Sequence, residues 1–226
     1  MKRSQVNAII QQTEVFFHSF GFKLPPWAHW TVQDWKQQSS DISEIMDRGL
    51  GWDLTDFGLG TFEQKGLVLF TIRNGKLEPG SKPYAEKLMM VREEQETPFH
   101  YHWTKIEDII NRGGGTLLLE LAWEDADRVL SNRDVEVSID GVRRRFAAGE
   151  QVALAPGESI TLPTELYHRF WAKRGGGPVL TGEVSMVNDD SGDNKFLDPI
   201  GRFPDIEEDA EPYRLLASDY AQWIDV

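Results

Sequence analysis

The chain has 226 residues, 40% of them hydrophobic and 27% charged, enough for one folded unit with a sizeable core. It contains no cysteine, which excludes a disulfide framework, a thiolate metal site and a cysteine nucleophile, and which suits a cytoplasmic protein. A formal net charge of −13 repels phosphate backbones and no run of ~18 apolar residues occurs, so neither nucleic acid nor membrane is expected as a partner.

The basic start, MKRSQVNAII, lacks an apolar core and a small-residue cleavage site, so it is expected to be a helix and not a signal peptide. Ser4 is placed to cap that helix, which reaches about Phe20 with Val6, Ile9, Ile10, Phe16 and Phe17 on one broad face; Gly21 stops it. LPPWAHWT breaks regularity, Thr31 is placed to cap a second short helix, and a third helical piece is expected over 42–48. From Gly58 the pattern turns to strands, expected at 66–72, 84–93, 115–123, 135–139 and 142–146, then near Val152 and Ile160, and over 167–171 and 179–187. Asn74-Gly75 and Asp140-Gly141 are hairpin-turn signals. The basic triplet Arg143, Arg144 and Arg145 lies on one of these strands, as an exposed edge or a partner contact. After Asn188 come a polar loop, NDDSGDNKF, and an acidic stretch whose Phe196, Ile200, Phe203 and Ile206 are expected to pack over the β core. A last helix is expected over 213–224.

Short strands at this spacing predict a mainly β antiparallel sandwich or barrel. The expected division is a single domain over 1–226, with a helical extension at 1–57, a β core at 58–188 and a covering segment at 189–226.

Chemistry concentrates in FHYHWTKIE. His100 and His102 are two apart, so on a strand both imidazoles face one side, and Glu107 follows where a turn can return its carboxylate to them. His168, before an aromatic strand, can close the set. Such imidazole and carboxylate donors suit Mn²⁺, Fe²⁺, Co²⁺, Ni²⁺ or Zn²⁺. His18 and His29 are expected to be structural or surface residues, with His29 the nearer of the two to a substrate role.

The spacing extends beyond the ligands. From His100 it runs H-x-H-x4-E-x6-G to Gly114, and from Gly157 it runs G-x5-P-x-E-x2-H through Pro163 to His168. These two stretches resemble the paired motifs of the cupin superfamily, a jelly-roll β-barrel fold. They depart from it at Glu94 and Glu165, where the motifs have glycine, and at Ala172, where they have asparagine; no departure removes a ligand. More narrowly, EKLMMVREEQETPFHYHWTKIEDIINRGGG, the upstream KLPPWAHWT and the downstream NDDSGDNKFLDPIGRF resemble the D-lyxose isomerase family over almost the whole chain. That resemblance implies interconversion of D-lyxose and D-xylulose, often with D-mannose and D-fructose as a side activity, Mn²⁺ as the usual metal, and a homodimer.

An aldose–ketose isomerase needs a carboxylate to carry a proton between C2 and C1. On VLTGEVSMV, Thr181, Glu183 and Ser185 alternate with apolar residues, and that polar face either lines a cavity or meets solvent; Glu183 is the candidate base. Lys105, between His102 and Glu107, is a candidate oxygen donor or proton relay with a lowered pKa, or else a solvated loop lysine. Lys87 is a candidate donor to substrate or a snorkelling edge lysine. Asp193, Asp198 and Arg202, in the covering loop, are candidates for distal hydroxyls or else solvated loop charges, and Trp30 and Trp103 are candidates for stacking on a sugar face or for packing. The same ligand set permits an Fe²⁺ dioxygenase, and the fold permits a sugar-binding module or a sugar-phosphate isomerase.

Overall fold

Strands that bury alternate residues must share those faces with a partner layer, and here two antiparallel sheets do so. The computed structural model describes residues 1–125, 129–189 and 192–224. The larger sheet contains β1 (Gly51–Thr55), β2 (Leu67–Arg73), β3 (Tyr84–Val91), β5 (Glu107–Gly114), β7 (Val135–Ile139), β8 (Val142–Phe146), β10 (Ser159–Leu162) and β12 (Val179–Met186). Their order is β1-β2-β3-β12-β5-β10-β7-β8. The smaller sheet contains β4 (Thr97–His102), β6 (Leu117–Ala122), β9 (Gln151–Leu154), β11 (Tyr167–Ala172) and β13 (Asn194–Phe196), in the order β13-β4-β11-β6-β9. This is a cupin-type jelly roll in two-sheet form rather than a single closed barrel.

Met89, Ile109, Leu119, Val137, Ile160 and Phe170 fill the space between the sheets. A second apolar cluster lies on the outer face of the larger sheet. Helix α1 (Arg3–Ser19) lays Val6, Ile10 and Phe17 against Trp52, Phe70, Leu88 and Met90. Strands β2 and β3 are therefore apolar on both faces, which is why 66–72 has no alternation in the sequence. Phe70 is fully buried in this layer, so Phe70→Ala is expected to cost about 3–5 kcal/mol. Helices α2 (Val32–Lys36) and α3 (Ser43–Asp47) follow, and Thr31 caps α2 by accepting from the Asp34 amide. Among the described residues no helix is long and apolar enough to cross a membrane.

Several local expectations differ from the structure. Ser4 does not cap α1: Lys2 holds that position, and Ser4 binds Asp209 through both its amide and its hydroxyl, at 2.9 and 2.8 Å. Asn74-Gly75 is not a tight turn. Asn74 is buried and exchanges hydrogen bonds with the Asn188 backbone, at 3.0 Å each way, so the chain continues to 83 before β3 begins. Residues 51–55, expected within the helical extension, form β1, and all five are buried. The C-terminal helix is only α4 (Tyr220–Trp223), preceded by a 3₁₀ turn at Ala217–Asp219. Leu215 and Leu216 are buried ahead of that turn, with Leu216 bridged to Trp52, while Asp219 turns to Arg3 and the Leu216 amide. Asp140-Gly141 does turn β7 into β8, with both residues at positive φ. Arg143, Arg144 and Arg145 lie exposed on β8, the edge strand. Asp190 and Ser191 of the predicted polar loop lie outside the described residues.

At two of the three departures from the cupin motifs the backbone shows why the motif has glycine. Glu94 and Glu165 have φ of 56° and 62°, the left-handed region where glycine is unstrained. The chain keeps the glycine conformation with a side chain present. Glu165→Gly is expected to relieve about 1 kcal/mol of strain, less the added freedom of the unfolded chain. The melting temperature should then rise by up to about 2–4 °C, whereas Glu165→Val should lower it, as a thermal melt would record.

Candidate active site

His100 and His102 face the intersheet space from β4, and His168 does so from the neighbouring β11, where it pairs in register with His100. Glu107 reaches them from the opposite sheet as the first residue of β5, so a change of sheet, not a local return turn, delivers the carboxylate. One ligand atom from each of the four lies within 4.8 Å of the others.

The imidazoles are held in a single tautomer. Nδ1 of His100 sits 2.8 Å from the Pro98 carbonyl, that of His102 3.2 Å from the Asp193 carbonyl, and that of His168 3.0 Å from the Leu166 carbonyl. A carbonyl only accepts, so each Nδ1 carries the proton and each Nε2 presents its lone pair to the centre. Burial, then the neighbouring His168 and His102, pushes His100 well below the ordinary imidazole range, which keeps it a neutral ligand. The His168 Nε2 is buried 3.0 Å from Glu107 Oε1 yet lies outside hydrogen-bonding geometry. Three inward Nε2 atoms and a carboxylate converging on one point fit a divalent cation.

Beside this cluster lies a second set of buried charges. On β12, Glu183 pairs in register with Lys87 of β3. The Lys105 ammonium is 2.8 Å from Glu107 and 2.9 Å from Glu183, and so joins the two sets. The Lys87 ammonium is 3.1 Å from Glu183 and 2.6 Å from the Asn188 amide oxygen. Burial alone would raise the Glu183 pKa, but Lys105 and Lys87 outweigh it and hold the carboxyl at about 2. Burial pulls Lys87 down to about 8, helped by Lys105 and resisted by Glu183. For Lys105 burial also acts downward, but Glu107 and Glu183 win and raise it.

His100, His102, Glu107, Lys87, Lys105 and Glu183 open onto one pocket of about 670 Å³, part of it continuous with solvent, on an apolar floor that includes Leu69, Met89 and Phe170.

Sequence comparison decides the family. A model of the D-lyxose isomerase family matches residues 1–220. The chain belongs to the D-lyxose isomerase family. It is 52% identical to the D-lyxose/D-mannose isomerase of Serratia proteamaculans, over 99% of this chain and 100% of that protein. It is 48% identical to the D-lyxose/D-mannose isomerase of Escherichia coli O157:H7, over the same shares. Among solved structures, the L-ribose isomerase of Cellulomonas parahominis with L-ribose superposes with a TM-score of 0.61 at 16% identity, covering 92% of this chain and 98% of that one. That likeness is one of fold. Membership in the D-lyxose isomerase family makes the protein an aldose–ketose isomerase whose substrate is a small sugar.

The structure of this D-lyxose isomerase family member sorts the remaining candidates. Lys87, Lys105, Glu183 and Arg202 line the same pocket as His100, His102 and Glu107. Asp193 does not line it. Its carboxylate accepts from the Thr104 amide and hydroxyl at 2.7 and 2.9 Å and from the Lys105 amide at 3.0 Å, so it holds the loop between β4 and β5. Asp198 is exposed outside the pocket. Trp30 packs edge-on to Trp35, 4.9 Å between ring centres, in a separate cluster with Leu215 and Tyr220. Trp103 packs edge-on to Tyr101, away from the pocket. His29 is exposed beside Glu14. Unforeseen pocket residues include Asp53 and Thr55 on β1 and Asn188. Asp53 was hidden because a fully buried strand shows no alternation; Asn188 was hidden because only the fold brings it to Lys87.

His168→Ala should remove a buried lone pair from the cluster. Metal retained by the purified protein, measured by elemental analysis after dialysis, is expected to fall at least about tenfold. Full metal content in that variant would show that any ion sits elsewhere.

Proposed function

We propose that the protein interconverts D-lyxose and D-xylulose, with D-mannose and D-fructose as a side pair, as a cytoplasmic homodimer using Mn²⁺. The observation that carries this reading is a buried, ionised carboxylate, Glu183, held by two lysines beside three imidazoles and Glu107. In this reading His100, His102, Glu107 and His168 hold the metal. When bound there, a divalent ion supplies Lewis-acid stabilisation of negative charge on the sugar oxygens at C1 and C2.

The protein's own groups account for the proton transfers. The Glu183 carboxylate takes the proton from C2 of the open-chain aldose, which leaves an enediol, and returns it to C1. The hydroxyl proton passes from O2 to O1, so the ketose forms with no net gain or loss of atoms. Lys105, kept cationic by two carboxylates, donates a hydrogen bond to the oxygen where charge gathers and holds Glu183 in place. Lys87 orients Glu183 from the other side and reaches the pocket as a further donor. The apolar floor restricts water around the enediol.

Ketose formation from D-lyxose should disappear in chelator-stripped protein and return with Mn²⁺; no conversion of D-lyxose or D-mannose with any divalent ion would remove this reading. Glu183→Gln should keep its metal while kcat drops by about 10²–10⁴-fold, and an unchanged kcat would reassign the base.

The pH profile follows from the lysines. Glu183, at about 2, stays ionised through the working range and adds no acid limb near neutrality. Lys87 is cationic below about 8 and neutral above, so kcat/KM should fall as pH rises through that value. Lys87→Arg, which keeps its charge, should move this alkaline limb upward; a limb unmoved in that variant would assign it to another group.

A further inference from the structure

The pocket has a second polar end that the proton chemistry leaves unused. Asp53 lies on β1, opposite Leu69 of β2, which in turn lies opposite Met89 of β3. Leu69 and Met89 belong to the pocket floor, so Asp53 stands on the same inward face. The Glu183–Lys87 pair sits on an adjacent inward row. From β1 to β3 is two strand spacings, roughly 10 Å, a distance a monosaccharide and its hydroxyls can bridge.

Asp53 is buried, and a buried acid in a cavity wall is a poor choice for stability alone, since an apolar residue there is commonly neutral or better. Its Oδ1 accepts from the Leu54 amide at 2.8 Å and its Oδ2 from the Arg202 guanidinium at 3.2 Å. Burial raises the Asp53 pKa and Arg202 acts against the rise; the carboxylate paired with Arg202 offers about four acceptor sites, so capacity remains for a hydroxyl. Arg202 is set beside it by two contacts from one strand, since the Thr55 hydroxyl donates to the Arg202 carbonyl. A carboxylate that accepts and a guanidinium that donates, side by side, match a sugar hydroxyl, which does both.

We propose that Asp53, with Arg202, is the specificity-determining clamp for the terminal hydroxyl of the sugar, at the end of the pocket remote from C1 and C2. This rests on the isomerase reading above. The carboxylate accepts the terminal O–H, and Arg202 donates to the same oxygen. The clamp fixes how far C2 lies from Glu183, and its carboxylate disfavours a phosphate at that terminus.

The test compares D-lyxose with 5-deoxy-D-lyxose, which lacks the terminal hydroxyl, on wild-type and Asp53→Asn holoenzyme. Wild-type kcat/KM should be at least about tenfold lower for the deoxy sugar. Asp53→Asn should lose about 10–100-fold on D-lyxose but less than about threefold on 5-deoxy-D-lyxose. Equal losses on both sugars, with metal content intact, would reduce Asp53 to a packing residue and overturn the clamp. Should the variant fail to fold, equal wild-type efficiency on the two sugars would overturn it without the variant. Wild-type protein that converts neither sugar would remove the isomerase reading and the clamp with it, whereas conversion of both at equal efficiency would remove the clamp alone.

Discussion

Charge buried between two apolar sheets is tolerated only when it is neutralised in place, and that constraint organises this molecule. Lys87, Lys105, Glu107 and Glu183 are all buried, and each has a partner of opposite charge within about hydrogen-bond reach. Lys105 is the pivot. It touches Glu107, which faces the imidazoles, and Glu183, which faces the pocket, and loss of Glu183 would leave Lys87 without its carboxylate partner. Removing one member leaves an uncompensated charge, a penalty of order 3–5 kcal/mol. The arrangement therefore resists local disorder at the place where the chemistry needs fixed positions.

The elements that hold this network are those with the plainest physical signals. The H-x-H spacing requires a strand to put two imidazoles on one face, and β4 supplies it. The alternation around Glu183 left a cavity wall and a solvent-facing wall equally open from sequence, and the fold resolves the choice: Thr181, Glu183 and Ser185 are buried inward while Val184 and Met186 are exposed. Here the apolar side chains face out and the polar ones face in, because the interior at this point is a pocket. The Asp140-Gly141 hairpin was legible for the same local reason, two consecutive residues that tolerate positive φ.

What sequence reasoning did not find is what depends on long-range placement. Strand β1 is buried on both faces, so it carries no period-two signal, and Asp53 went unnoticed within it. Asn74 has the composition of a turn, yet its amide is spent on Asn188, far along the chain. From sequence, Asp193 is either a hydroxyl binder or a solvated loop charge, and it is neither. In the fold its carboxylate grips the Thr104 and Lys105 amides and its carbonyl fixes the His102 tautomer. No local pattern distinguishes a loop acid that meets substrate from one that meets backbone.

These three corrections point the same way. Asn188, Asp193 and Arg202 all come from the segment after β12, and each touches a group essential to the pocket: Lys87, His102 and Asp53. The two sheets alone bring the imidazoles, Glu107 and Glu183 together, but the orientation of His102, the hold on Lys87 and the guanidinium beside Asp53 require that segment to be in place. Its docking uses backbone as well as side chains, through β13 on β4 and the Thr55 hydroxyl on the Arg202 carbonyl. Positioning of Lys87 and His102 and shaping of the Asp53 end of the pocket thus depend on one stretch of chain, and a change that loosens it would reach both ends of the pocket together.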